Sequence, residues 1–315
     1  MTATHELAAE IVDAINDLAG RHEGHRAVHA KGTLLAGTLT ATPEGAALTR
    51  AAHLQGDPTK VTARFSNGGG DPGGPDHGQD GRGLAVKAYL PDGSTSDFVS
   101  VNLPCFFVRT PEDFLEFTRA RMPDPETGKP DLAKLGPFFE AHPEALPAIQ
   151  AALSPDRPES YAGVRYNGIH SFRWVPADGE SRWVRWVWEP VDGEATISEE
   201  AAKERGDDYL LDEVAERAAA GGVAFDLVVT LGEDGDPLDD PTAVWPEERE
   251  TLVGARLELT GPDTEREKDG DVLVFDPMRV TDGIEPSDDP ILRIRSHAYA
   301  ESVLRRSGVA RATQD

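Results

Sequence analysis

Cysteine is almost missing from this chain: one residue, Cys105, in 315. A single thiol excludes an internal disulfide framework and any zinc site built on several cysteines, and it fits a reducing compartment, so a cytoplasmic location is expected. Basic charge is scarce as well. Thirty-one Lys and Arg stand against 57 Asp and Glu, a formal net charge of −26. A field of that sign repels nucleic acid and anionic membrane surfaces, so an anion that binds must meet a local basic pocket. Long apolar runs are absent too, and no stretch approaches the roughly 18–20 residues of a membrane span. Residues 1–20 carry helical periodicity and acidic residues in place of a basic start and an apolar run, so no signal peptide is expected. Acidic clusters at 234–240 and 247–250 read as solvated loops.

What is present is strand after strand, separated by turn residues. Ala27 to Thr40 reads as a strand, followed by Lys60 to Ser66, Gly83 to Tyr89 and Asp97 to Phe107, with the glycine-rich run NGGGDPGGPDHGQDG (67–81) as a loop between the second and third. Helices are expected from Pro111, in two pieces over Pro130 to Leu153, and in two more over 197–220. A hairpin spans His170 to Val175 and Arg182 to Glu189, its tryptophans reading as core packing. Val223 to Leu231 and Leu252 to Thr260 are the last strands, and 289–307 is a final helix. About eight strands in consecutive pairs imply an antiparallel sheet that closes into a barrel with surrounding helices, an α+β chain. No internal repeat or rich linker divides it, so residues 1–315 read as one domain: an N-terminal helical segment (1–24) and a core (25–308).

The residues capable of chemistry are few. His22, His25 and His29 would share a helix face, but the segment turns into strand at or before Ala27 and no HExxH pattern appears, which argues against a zinc site. The glycine loop lacks the GK[ST] ending of a phosphate-binding loop, no G-x-S-x-G elbow exists, and Cys105 sits in an apolar strand where a thiol is inert. The final helix is more informative. Arg295, Tyr299, Ser302 and Arg306 are spaced by four, three and four, one narrow stripe at about 100° per residue. The spacing alone leaves two readings open: a solvated basic stripe suited to a helix C-terminus, or an arginine favouring a tyrosine phenolate, a hard anionic ligand for ferric iron.

Several segments, in order, resemble the catalase superfamily: RAVHAKG (26–32), TARFSNGGGD (62–71), QDGRGLAVKAY (79–89), LPCFFVRTPEDF (103–114), AVWPEERETLVGARLEL (243–259), FDPMRVTDGIEPSDDPIL (275–292) and the R-x-x-x-Y of Arg295 to Tyr299. Any one is weak evidence; their shared order is not. The chain lacks the long arm and the flavodoxin-like domain of larger members and is similar to minimal catalase-related peroxidases. The resemblance implies an eight-stranded antiparallel barrel holding haem b. Tyr299 is then the iron's axial ligand with Arg295 keeping it ionised, tyrosine ligation being the known catalase pattern. His29 is the distal acid/base that moves a proton between the peroxide oxygens. Arg26, Arg64 and Arg306 match the arginines that hold the propionates, Ser66 a serine beside the distal histidine, and Asp80 the carboxylate of the peroxide channel.

One departure bears on the reaction. Catalases carry two asparagines before the threonine and proline of this strand, the first facing the haem; in DFVSVNLP (97–104) Val101 takes the first position and Asn102 the second. Alternation turns Asn102 to the opposite face unless a bulge brings it round. Loss of that donor implies a haem peroxidase that reduces hydrogen peroxide or organic hydroperoxides with an organic reductant, and retains weak catalase activity. True catalase, isomerisation of fatty-acid hydroperoxides and non-enzymatic haem binding are the alternatives. The isomerases of this superfamily carry threonine where this chain has Val28. The oligomeric state stays open, a homo-oligomer included.

Overall fold

Alternating apolar residues bounded by turn residues become eight strands: β1 (Gly32–Ala41), β2 (Thr59–Asn67), β3 (Arg82–Tyr89), β4 (Thr95–Val101), β5 (Tyr166–Trp174), β6 (Arg182–Pro190), β7 (Val223–Leu231) and β8 (Thr251–Pro262). The structure is a computed structural model that describes residues 3–124, 126–128, 131–266 and 272–307. Every strand pairs antiparallel with its neighbours, in the order β5-β4-β3-β2-β1-β8-β7-β6, and β6 pairs back onto β5 to close a barrel. The joint between β4 and β5 is the thinnest, one registered pair, Val101 opposite Asn167. The strand Ile284–Pro286 adds to the edge of β5, and Arg157–Pro158 pairs with Thr196–Ile197 outside the barrel.

The period of two sorts side chains between the two faces of the wall. In β7, Val223, Phe225, Leu227, Val229 and Leu231 all point into the core. Across the neighbouring strands, Leu35, Ala63, Val86 and Phe98 form one inward row, and Phe65 adds a ring stacked on Tyr161 at 5.5 Å. β2 is buried from Val61 to Asn67 on both faces, because other parts of the chain cover its outer side.

The helices are α1 (Ala3–Ala19), α2 (Pro43–Leu48), α3 (Pro111–Ala120), α4 (Leu132–Ala141), α5 (Leu146–Ala152), α6 (Glu199–Glu204), α7 (Tyr209–Ala219) and α8 (Pro290–Arg306). α1, α3 and α8 share a second core in which Ala8, Ile11, Ala14 and Ile15 meet Leu115 and Ile294. α8 starts on Asp289, whose carboxylate accepts the N–H groups of Ile291 and Leu292, with Pro290 in the first turn and Arg305 and Arg306 in the last. Proline at the start and cations at the end both suit a helix of this polarity.

Two expected strands change their bounds. The first begins at Gly32 rather than Ala27, because the N–H groups of His29 and Ala30 bond to Gly68 and Gly69 of the glycine loop. The fourth ends at Val101 rather than Phe107: Asn102 folds its amide onto Arg82, and residues 102–110 follow as turns. Pro130 and the expected core end at 308 lie outside the described residues. Among the described residues, no helix is long and apolar enough to cross a membrane.

Candidate functional site

His29 sits in the turn ahead of β1 with φ near +54°, alone in the left-handed region among the described non-glycine residues. Such backbone costs about 1–3 kcal/mol and persists only where its surroundings over-determine it. Here they do. Its N–H donates to Gly68 (3.1 Å), its carbonyl accepts from Arg64 (2.9 Å), and its Nδ1 bonds Ser66 Oγ at 2.9 Å. The ring rests on the backbone of β3: a Cβ on Gly83 would lie 2.9 Å from His29 Cε1 and 3.0 Å from Nδ1. Burial first, then the charges of Arg64, Arg295 and Arg26, push the His29 pKa down to about 3, so the imidazole is neutral at ordinary pH.

Ser66, Gly83 and Val101 are direct partners across β2, β3 and β4. Residues opposite one another in an antiparallel sheet share a face, so Val101 lies on the face that carries His29, two strands from Ser66. Asn102 is engaged elsewhere. Its Oδ1 accepts the Arg82 N–H at 2.7 Å and its own N–H donates to Arg82 O at 2.9 Å, which locks the end of β4.

The other side of the site is α8. Arg295 donates from Nε (3.0 Å) and Nη2 (2.5 Å) to the phenolic oxygen of Tyr299, the i,i+4 contact that the spacing allowed. Its Nη1 donates to His170 Nε2 at 3.0 Å, and His170 Nδ1 donates to Asp289 at 2.6 Å. With Nε2 facing a guanidinium donor, the neutral ring carries its proton on Nδ1. Burial is the main cause lowering the His170 pKa, opposed by Asp289. Neither His170 nor Asp289 was singled out in the sequence. The Asp-Pro pair before an expected helix marks Asp289 as its cap. His170 gives no such signal, since an irregularity in the β5–β6 register between Gly168 and Phe172 re-aims this stretch.

The two sides are tied. Val28 packs against the core that α1, α3 and α8 share, and the Ala27 N–H donates to Ser302, one turn beyond Tyr299. Arg26 and Arg306 converge on the Leu273 carbonyl at 2.7 and 3.0 Å, while Arg64 is 5% exposed beneath His29. Asp80 accepts the Gly69 N–H at 2.7 Å and so fixes the loop that holds His29. The final helix face is thus no plain solvated stripe.

This donor set fits a haem. A neutral phenol oxygen has two lone pairs, and Arg295 aims two donors at it; a further pair for a metal exists only once the O–H proton has left. A hard phenolate suits ferric iron, and guanidinium groups suit carboxylates. Residues 10–313 match the sequence profile of the family described as catalase. The chain belongs to the catalase family. A catalase-related peroxidase of Mycolicibacterium paratuberculosis is 43% identical over 306 residues, 97% of this chain and 96% of that protein. One of Synechococcus elongatus is 35% identical, over 97% of this chain and 90% of its own length. A solved fungal catalase superposes with a TM-score of 0.80 at 25% identity, covering 91% of this chain and 60% of the fungal one. Members of the catalase family are haem enzymes, and this one is an oxidoreductase acting on peroxide.

Gly83→Ala puts a methyl group where the His29 ring lies. Displacement of such a group by about 1 Å costs on the order of 10²-fold in rate, so kcat with hydrogen peroxide should fall by that order while circular dichroism is unchanged. Parental turnover would show that the ring moves without consequence.

Proposed function

We propose that this catalase-family member is a haem b peroxidase that reduces hydrogen peroxide or organic hydroperoxides at the expense of an organic electron donor. The reading rests on Val101, an apolar side chain at the position where catalases carry a hydrogen-bonding asparagine, on the wall that also bears Ser66 and Gly83. Removing one positioned donor typically costs on the order of 10²-fold or more, and it penalises the reaction in which a second peroxide must be oriented more than the one in which an organic donor returns the electrons. Bound haem supplies the iron at which peroxide is reduced, and everything else falls to the chain. Tyr299 would hold the iron through its phenolic oxygen, on which Arg295, backed by His170 and Asp289, places two donors. Arg26, Arg64 and Arg306 hold the propionates.

His29 works as the proton carrier. Ser66 occupies Nδ1, which leaves Nε2 to take a proton from one peroxide oxygen and return it to the other, the one that departs as water. A base that is already neutral above its pKa of about 3 is ready for this over the whole physiological range. Asp80 lines the peroxide's route while fixing the Gly69 turn. Asn102, committed to Arg82, shapes the strand end and takes no part in the chemistry. Val28, where hydroperoxide isomerases of this superfamily carry threonine, disfavours isomerisation.

Val101→Asn should raise catalase turnover relative to peroxidase turnover; an unchanged ratio, measured with hydrogen peroxide alone and with an aromatic reductant, would count against this function. The protein should show the Soret and charge-transfer bands of a high-spin ferric tyrosinate, and Tyr299→Phe should lose the charge-transfer pattern. For pH, the sign follows from the lowered pKa of His29: the neutral base is present above pH 3 and is lost as pH falls through it. The rate should show no His29 inflection between about pH 5 and 8, and an inflection near 6.5 that disappears in His29→Gln would overturn the assignment.

A further inference from the structure

The inner face of the barrel, behind the wall that carries His29, holds a group of polar atoms with no partner in the protein. His53 lies on the turn Ala52–Leu54 between β1 and β2, fully buried and edge-on to Phe98 at 5.5 Å. Phe98 is an inward residue of β4, so by alternation Ser96 and Ser100 flank it on the same face. Trp186 and Trp188 of β6 close on the same ring at 5.4 and 5.6 Å. Both ring nitrogens of His53, the hydroxyls of Ser96 and Ser100, and the indole nitrogens of Trp186 and Trp188 are buried, and none has a hydrogen-bond partner among the described residues. Native interiors leave few such groups unpaired, since each carries the full cost of its lost hydration.

Their chemistry defines what pairs with them. An indole N–H only donates, so the occupant must accept. A neutral imidazole keeps one acceptor nitrogen, so the occupant must also donate. His53 is neutral, because burial pushes its pKa down to about 4. The group therefore presents no cation to hold a buried anion, and one imidazole without a carboxylate is too poor a set for a metal ion. A small neutral molecule that both donates and accepts remains, with several polar partners, as a buried water requires.

We infer that the barrel interior binds ordered water around Phe98, bridging His53 to the hydroxyls of Ser96 and Ser100 and to the indoles of Trp186 and Trp188. The apolar core of the barrel then encloses a wet centre. These waters lie on the opposite side of the wall from Ser66, Gly83 and Val101, so they are a structural solvent site separate from the peroxide pocket.

A crystal structure of the full-length haem-loaded protein, at a resolution that orders internal solvent, should show density within hydrogen-bond distance of a His53 nitrogen and of at least one of the two indole nitrogens. A dry interior overturns the inference. Stability gives an independent sign. If His53 is unpaired, His53→Leu removes a penalty and raises the thermal midpoint; if water pairs it, the substitution strips partners from that water and lowers the midpoint by a few degrees. His53→Gln, which keeps a donor and an acceptor, should then stay closer to the parent than His53→Leu. A rise in the midpoint of His53→Leu overturns the inference as firmly as a dry cavity.

Discussion

The close approach of the His29 ring to the Gly83 backbone is the constraint on which the rest of the site depends. It requires a strand position without a side chain, a serine on the adjacent strand to meet Nδ1, and a left-handed turn that presents the ring to the wall. That turn is unfavourable for a residue with a Cβ. The glycine loop, pinned by Asp80, and the Arg64 guanidinium supply the hydrogen bonds that hold it. A loop that reads as featureless in sequence is therefore the clamp that stores the strain of His29.

The opposite side is organised around one half-buried guanidinium. Arg295 has its fork on Tyr299 and its remaining terminal nitrogen on His170, and His170 leads to Asp289, which also caps α8. One carboxylate thus serves the helix N-terminus and, through an imidazole on a barrel strand, the middle of the same helix. Buried charge is costly unless every partner is in place, and this chain of contacts leaves few of its polar atoms to chance. Helix register and barrel register must agree for it to form, so the phenolic oxygen is positioned by the whole fold.

Much of this was legible beforehand, for physical reasons. Alternating β-branched and aromatic residues between Gly and Pro turns gave the antiparallel barrel, and the four-residue step from Arg295 to Tyr299 can mean only adjacency on a helix. What stayed hidden depended on long-range partners. The turn at His29 exists because its N–H finds Gly68, and local propensity through Ala27 to Thr40 argues for strand. The strand running to Phe107 in expectation stops at Val101 because the Asn102 amide competes for the backbone of Arg82. His170 is one buried histidine among nine in sequence, and only a register irregularity aims it at α8.

The thin joint of the barrel gives Val101 a second significance. β4 and β5 meet through the single pair of Val101 and Asn167, and the Asn167 side chain reaches on to the Leu103 carbonyl at 3.0 Å. Elsewhere the wall is stitched by runs of ladder bonds; along this line it is closed by one stitch and a side-chain clasp. The amide groups bordering that line are those from which a fluctuation would unzip the cylinder with least resistance. The stitch itself is a pairing of strand positions, and valine and asparagine are close in size, so exchanging one for the other at 101 changes the chemistry of the His29 wall while leaving the pairing with Asn167 in place.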